Sequence, residues 1–182
     1  GKGNLWIGTF WGGIDVLDMK TGRISHYRHS PSLASSLSDN RVWALCAGDD
    51  GSIWVGTSSG LDLFDPETKS FVHYREAAGN EQVNWIVRDS ENDIWVGTLD
   101  EIVIYDPEDQ TITRFSEHSR YLLEDSSGRF WIATLDRGIA QYSKATGALR
   151  YYREHDGLAN NQALCIIEDD NSNLCISTSN GL

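Results

Sequence analysis

An all-β chain of short antiparallel sheets, one per repeat unit, is what the sequence predicts, and three observations predict it. A pentapeptide recurs: Leu5-Trp6-Ile7-Gly8-Thr9, Ile53-Trp54-Val55-Gly56-Thr57, Ile94-Trp95-Val96-Gly97-Thr98, Phe130-Trp131-Ile132-Ala133-Thr134, and a worn copy, Leu174-Cys175-Ile176-Ser177-Thr178. Its anchor positions 6, 54, 95, 131 and 175 are 48, 41, 36 and 44 residues apart, the spacing of repeat architectures whose loops vary while strands do not. Each complete unit holds four short segments separated by turn signals, the pentapeptide among them. No window sustains apolar residues at i, i+3, i+4 and i+7 between helix caps. Four-stranded sheets at this period are the blades of a β-propeller.

The elements follow in a fixed order. A first strand, A, opens the unit: Val42-Trp43-Ala44-Leu45-Cys46, Val83-Asn84-Trp85-Ile86-Val87, Ser119-Arg120-Tyr121-Leu122-Leu123 and Ala163-Leu164-Cys165-Ile166-Ile167. An acidic turn follows: Asp49-Asp50-Gly51-Ser52, Asp89-Ser90-Glu91-Asn92-Asp93, Asp125-Ser126-Ser127-Gly128 and Asp169-Asp170-Asn171-Ser172-Asn173. Gly, Asn and Ser there supply the left-handed or side-chain-bonded backbone of a tight hairpin. The pentapeptide is strand B. Strand C alternates, as in Gly60-Leu61-Asp62-Leu63-Phe64-Asp65, and strand D is aromatic, as in Phe71-Val72-His73-Tyr74. Mid-strand between apolar neighbours, the Trp suits the wedge between adjacent sheets, which makes Trp6, Trp54, Trp95 and Trp131 structural anchors.

This layout divides the chain into a single propeller with units at 1–41 (strands B, C and D), 42–82, 83–118, 119–162 and 163–182 (strands A and B). That is about four blades, cut mid-blade at both ends, and it reads as an arc of a larger ring; a closed four-blade ring is the alternative. An arc exposes a blade face and a sheet edge, which favours self-association. The start, Gly1-Lys2-Gly3, has neither Met nor an apolar leader and reads as an excised or processed piece.

Composition removes several functions. The formal net charge of −12 opposes a nucleic-acid partner, which needs a basic face, and opposes an anionic membrane surface equally. The longest wholly apolar run is Val42–Ala47, far short of a membrane span. Cys46, Cys165 and Cys175 are too few and too scattered for a disulfide framework.

The acidic-Gly turn, the Leu/Ile-Trp-Ile/Val-Gly-Thr strand, the Gly-Leu that follows and the outer aromatic strand together resemble the two-component regulator propeller repeat. Ser36-Leu37-Ser38-Asp39-Asn40-Arg41-Val42 and Gly157-Leu158-Ala159-Asn160-Asn161 resemble its inter-blade connector. Departures are Ala133 for Gly, Cys175 for Trp and a short connector before Ser119. The resemblance implies the periplasmic sensor region of a hybrid two-component histidine kinase of Bacteroidetes type. Such propellers come in rings of seven blades, followed by a β-sandwich domain and a membrane helix. It implies that oligosaccharide is sensed and signalled to a cytoplasmic kinase, with the remaining blades, the sandwich domain and a second copy as partners. The fragment itself would be non-catalytic and without cofactor. Two other readings stand beside this one: an interaction or dimerisation scaffold without small ligand, and a propeller lyase.

Candidate ligand contacts come from the B–C turns and the D–A connectors, which propellers gather on one face: Trp11, Arg41, Asn84, Asp100, Arg120, Asp136, Arg137 and Asn180. Aromatic platforms stack on sugar rings while a few polar groups bond the hydroxyls. Trp11, Trp43 and Trp85 are not anchors and are read as the open tryptophans. The alternating oxygens of Asp89-x-Glu91-x-Asp93 suit a hard cation, but the sixth place is Ile94 and the twelfth is Asp100, so hairpin turns account for them and no metal is expected. His26 and His73 occupy the same slot of strand D and read as blade surface, while His29, His118 and His155 lack metal-ligand spacing. No Gly-x-Ser-x-Gly is present.

Overall fold

The computed structural model describes residues 3–48 and 50–181. Seventeen strands form five antiparallel meanders. The first sheet contains β1 (Asn4–Gly8), β2 (Ile14–Asp18) and β3 (Ile24–Tyr27). The second contains β4 (Val42–Ala47), β5 (Ile53–Thr57), β6 (Gly60–Asp65) and β7 (Ser70–His73). A one-turn helix, α1 (Arg75–Ala78), leads to β8 (Trp85–Arg88), β9 (Ile94–Gly97), β10 (Glu101–Asp106) and β11 (Thr111–Ser116) of the third. The fourth has β12 (Ser119–Glu124), β13 (Phe130–Thr134), β14 (Ile139–Ser143) and β15 (Ala148–Tyr152). The last described sheet pairs β16 (Ala163–Glu168) with β17 (Leu174–Thr178). First strands of neighbouring sheets lie against one another, β4 with β8, β8 with β12 and β12 with β16, so the sheets radiate from that edge as propeller blades.

The core is the set of spaces between blades. Trp54 packs with Leu61, Ile86 and Val103 across the second and third sheets; Trp95 packs with Leu122, Phe130 and Tyr142 across the third and fourth; Trp131 packs with Ala163 and Ile166 across the fourth and fifth. Strand β5 is buried on both faces, which explains its unbroken apolar run. Trp6 is only half-buried, stacked on Tyr27 and edge-on to Phe64 at 4.8 Å.

Each residue of the pentapeptide has a distinct physical task. The Thr hydroxyl donates across the B–C turn to a backbone carbonyl in all five copies: Thr9 to Gly13, Thr57 to Gly60, Thr98 to Glu101, Thr134 to Gly138 and Thr178 to Gly181, at 2.8–3.2 Å. The Gly lets the next strand approach. A Cβ on Gly56 would stand 2.6 Å from Val83, and one on Gly97 would stand 2.0 Å from the Trp85 ring. Where Ala133 replaces the Gly, the facing residue is Ala163, which keeps the combined volume low. The Trp is fixed at its polar end. Nε1 of Trp95 donates to Asp89 at 2.8 Å and Nε1 of Trp131 donates to Asp125 at 2.8 Å. The other oxygen of each Asp accepts the hairpin amides of residues two and four places on.

The same Asx turn closes at Asp169, where Cys175 removes the indole. In the second blade this position is Gly48, whose amide makes the equivalent bond to Ser52; Asp49 lies outside the described residues. The hairpins are also tied between blades. Glu124 accepts the amide and hydroxyl of Ser90, and Glu168 accepts those of Ser126.

Two sequence expectations are corrected. Trp85 is not open: it is buried, filling the space above Gly97 and donating to the Ser119 hydroxyl at 3.2 Å. Strand A of the third blade starts at Trp85 instead of Val83, its ladder to β9 beginning with Trp85 opposite Gly97. The segment after β7 makes a helical turn that tucks Ala77 and Ala78 against Leu61 and Val83. All three cysteines are free thiols.

Gly97→Ala is expected to destabilise the chain by about 1–3 kcal/mol through overpacking against Trp85, measured as a lower urea midpoint. Its effect should fall sharply in a Trp85→Ala background, since the two residues share one space. Asp125→Ala strands a buried indole N–H and is expected to cost about 1–3 kcal/mol. Asp169→Ala, with no indole to strand, should cost less in the same denaturation series.

Candidate functional site

B–C turns and D–A connectors lie at the same end of the sheets, and backbone bonds join them. The Gly13 amide donates to Asn40 and the Gly138 amide to Asn161. Gly138 has φ +83°, and a Cβ there would meet the Tyr152 carbonyl at 2.1 Å, so only glycine fits. At this end the first strands of the second, fourth and fifth sheets slip register once, between Val42 and Ala44, Ser119 and Tyr121, and Ala163 and Cys165. A β-bulge turns its extra residue out of the ladder. Trp43, Arg120 and Leu164 are those residues, and all three are exposed. Asn84 holds the same place ahead of β8 and accepts from Gln82 Nε2 at 2.6 Å.

The richest surface here joins the first two blades. Phe10 and Trp11 form the turn after β1, and Trp43 comes from the bulge of β4. The Phe10 ring stands edge-on to Trp11 at 5.3 Å and to Trp43 at 5.1 Å. Trp11 is 70% exposed and Trp43 42%. Trp43 Nε1 donates to Ser58 Oγ at 2.8 Å, and the Arg41 guanidinium lies 5.5 Å from the Trp11 ring centre. Arg41 is clasped by Asp39 through Nε at 3.0 Å and Nη2 at 2.8 Å, and Ser59 Oγ donates to the same carboxylate. The bonds from Arg41 lower the Asp39 pKa to about 2 against the desolvation that opposes them, and Arg41 is raised in turn. Three exposed rings in contact form an apolar patch with polar groups at its border, the usual make-up of a recognition site.

Beside this platform, across Ser59, a cavity of about 250 Å³ opens between the first inter-blade connector and the second blade. The connector is stapled down. The Ser30 amide donates to Ser36 Oγ, the Phe71 amide donates to the Ser35 carbonyl, and Ser38 Oγ bonds Thr57 Oγ1 at 2.7 Å. His73 lies half-buried, with Nδ1 2.6 Å from Asp62 and Nε2 2.8 Å from the Ala34 carbonyl. Its ring clamps the connector, a task its slot-mate His26 does not share, for His26 is exposed and meets only Asp15.

The remaining sequence candidates are dispersed. Arg137 reaches the buried Glu117 at 3.7 Å and Asp136 at 4.0 Å, with Tyr151 OH donating to Glu117 at 2.5 Å. Asp100 faces His118 at 3.3 Å. Arg120 and Asn180 are exposed and join no other candidate. Trp11 and Arg41 are thus brought together, while Asn84, Arg120 and Asn180 are not. Phe10, Trp43 and the cavity residues Asp62, His73 and Arg75 went unselected. The B–C turn placement of Phe10 and the aligned positions Trp43, Asn84, Arg120 and Leu164 were the available signals.

The acid triad at the opposite end is filled from within. Asp89, Glu91 and Asp93 converge, and Lys144 Nζ of the next blade sits among them at 2.5, 2.8 and 2.8 Å. Burial disfavours the Lys144 charge, but the bonds to Asp89, Asp93 and Glu91 outweigh it and raise its pKa above the usual lysine value. Burial, partly offset by the same ammonium, leaves Asp93 above the ordinary carboxylate range.

Fold and repeat define a propeller-blade protein, and comparison with known proteins narrows the class. Residues 36–59 and 78–100 match the two component regulator propeller family. Histidine kinase P4 of Formosa agariphila is 28% identical over 93% of this chain, which spans 13% of that protein's length. The extracellular domain of the putative hybrid two component system BT4673 of B. thetaiotaomicron superposes with a TM-score of 0.81 at 22% identity, covering 98% of this chain and 25% of that one. Virginiamycin B lyase from Staphylococcus aureus superposes at 0.74 and 15% identity, covering all of this chain and 65% of that one. These structural likenesses are likenesses of fold. Among the described residues no helix is long and apolar enough to cross a membrane.

Asp39 is depressed in the fold relative to an unfolded chain, so its clasp contributes stability above pH 4 and loses it as pH falls from about 4 towards about 2. Carboxyl NMR titration is expected to place the Asp39 midpoint near 2; in Arg41→Ala it should return towards the ordinary aspartate value.

Proposed function

We propose that this chain is a non-catalytic propeller segment of the extracytoplasmic sensor region of a two-component histidine kinase, and that its Phe10–Trp11–Trp43 platform receives an oligosaccharide. The kinase relative and the extracellular two-component domain of the same fold support the receptor setting. On this reading further blades complete the ring, a β-sandwich domain follows, and the whole lies in the periplasm. Exposed Leu5, Ile7 and Ile24 on the first sheet, and Leu164 and Ile167 on the last, suit cover by neighbouring blades.

The observation that carries ligand sensing is the platform itself. A structural role for Trp11 would bury it, yet it stands exposed beside two other rings, with Arg41 oriented over its face by Asp39. Indole faces stack on the C–H faces of sugars, and Arg41, Ser58 and Ser59 stand at hydroxyl-bonding positions around them. The lyase-like alternative has less to draw on: His118 and His155 each meet one neighbouring exposed carboxylate, at 3.3 Å in both cases.

Calorimetry with a panel of neutral oligosaccharides is expected to find a binder for the complete protein. Trp11→Ala should weaken that binding by about tenfold or more, the weight of an aromatic hot spot. Binding that is indifferent to Trp11→Ala would remove the platform from the site. A complete protein that binds no saccharide would leave the scaffold reading in its place.

A further inference from the structure

We infer that the cavity between the first inter-blade connector and the second blade is a pocket for one carboxylate-bearing sugar unit, a uronate, with Arg75 as its anion partner. The inference rests on the saccharide reading above and adds a second subsite with its own chemistry.

The wall is preorganised and its polar groups are mostly committed. Asp62 is buried; one of its oxygens meets His73 Nδ1 at 2.6 Å and the other accepts the Ser38 amide at 2.8 Å. Both ring nitrogens of His73 are engaged, and the Ser36 hydroxyl is held by the backbone of Ser30. A buried carboxylate with both oxygens already bonded has little left to offer a cation.

The uncommitted groups are of the opposite kind. Arg75 and Asn80 line the cavity, and among the described residues neither side chain has a partner. His29 lines it too. Its Nδ1 faces the Leu37 carbonyl at 2.8 Å, so in the neutral ring Nδ1 carries the proton and Nε2 is left as an acceptor for a sugar hydroxyl. In a chain of net charge −12, Arg41, Arg114, Arg129 and Arg137 each already face a carboxylate. Arg75 keeps its planar fork of donors free, the geometry that recognises a carboxylate through two parallel hydrogen bonds.

Size and neighbourhood point to one sugar ring. At about 250 Å³ the cavity falls just below the roughly 300–1,000 Å³ of pockets for drug-sized ligands. Leu33, Pro31 and Leu61 supply apolar wall. Ser59 belongs both to the cavity lining and to the Asp39–Arg41 clasp beside Trp11, so pocket and platform share a wall residue.

The test is calorimetry on the complete protein with D-glucuronate, D-glucose and acetate as probes, and with Arg75→Leu, Arg75→Lys and Trp11→Ala. Arg75 is exposed and outside the core, so Arg75→Leu should keep the wild-type melting curve. Glucuronate is expected to bind about tenfold or more tighter than glucose or acetate, a charge-assisted bond's worth of preference. Arg75→Leu should abolish that preference, Arg75→Lys should restore part of it, and Trp11→Ala should leave it intact. Equal binding of glucose and glucuronate, acetate as good as glucuronate, or a preference that survives Arg75→Leu would each overturn the pocket. If neutral oligosaccharides bind through Trp11 while glucuronate does not, the pocket fails and the platform stands. Should glucuronate bind through Arg75 while neutral oligosaccharides ignore Trp11, the platform fails alone.

Discussion

The structure depends on an indole held at both ends. In the third and fourth blades its ring fills the wedge between two sheets, where aromatic area is the largest apolar contribution available. Its one polar atom is satisfied by the aspartate of its own hairpin. That aspartate would otherwise be a costly buried charge, but it accepts two hairpin amides along with the indole N–H and so is matched on every side. A single pair therefore sets the hairpin, the strand that follows it and the spacing to the next blade. Where the pair is incomplete, at Gly48 with Trp54 or at Asp169 with Cys175, the remaining half still closes the turn or fills the wedge.

Interlocking volumes carry this order around the arc. Gly opposite Val and Ala opposite Ala are two solutions to one close approach between blades, and Gly97 beneath Trp85 makes room within a sheet, as dense packing requires. The carboxylates of Glu124 and Glu168, and the ammonium of Lys144, bind the hairpins of the third and fourth blades to the blade that follows. Such a frame is stiff, and its B–C turns and connectors are free to vary, which is where binding residues accumulate on rigid scaffolds. The bulge at the start of strand A belongs to the same logic. In the second, fourth and fifth blades it directs one side chain into solvent at the end that carries the B–C turns, and in the second blade that side chain is Trp43.

Much of the fold was legible because its determinants are local. A five-residue strand with Gly, Trp and Thr in fixed places, returning behind an Asx turn, specifies blade, strand order and core residue together. Legibility was lower wherever the outcome depended on a facing blade. Trp85 reads as an open tryptophan until Ser119 of the next blade is seen to accept its indole N–H. His73 reads as blade surface like His26 until the connector is seen lying on its ring. Trp11 and Arg41 were each legible from their turn and connector, but their stacking and the contribution of Phe10 and Trp43 were not, since the four come from segments some thirty residues apart.

The amino-acid sequence alone determined the all-β repeat, its strand order and the wedge tryptophans, because each is set by residues adjacent in the chain. Tertiary structure alone decided which tryptophans are exposed, that Lys144 occupies the acid triad, and that Asp62, His73 and Arg75 surround a cavity. Those outcomes follow from how one blade's volume and charge meet the next, and contact between blades is a relation that no single repeat encodes.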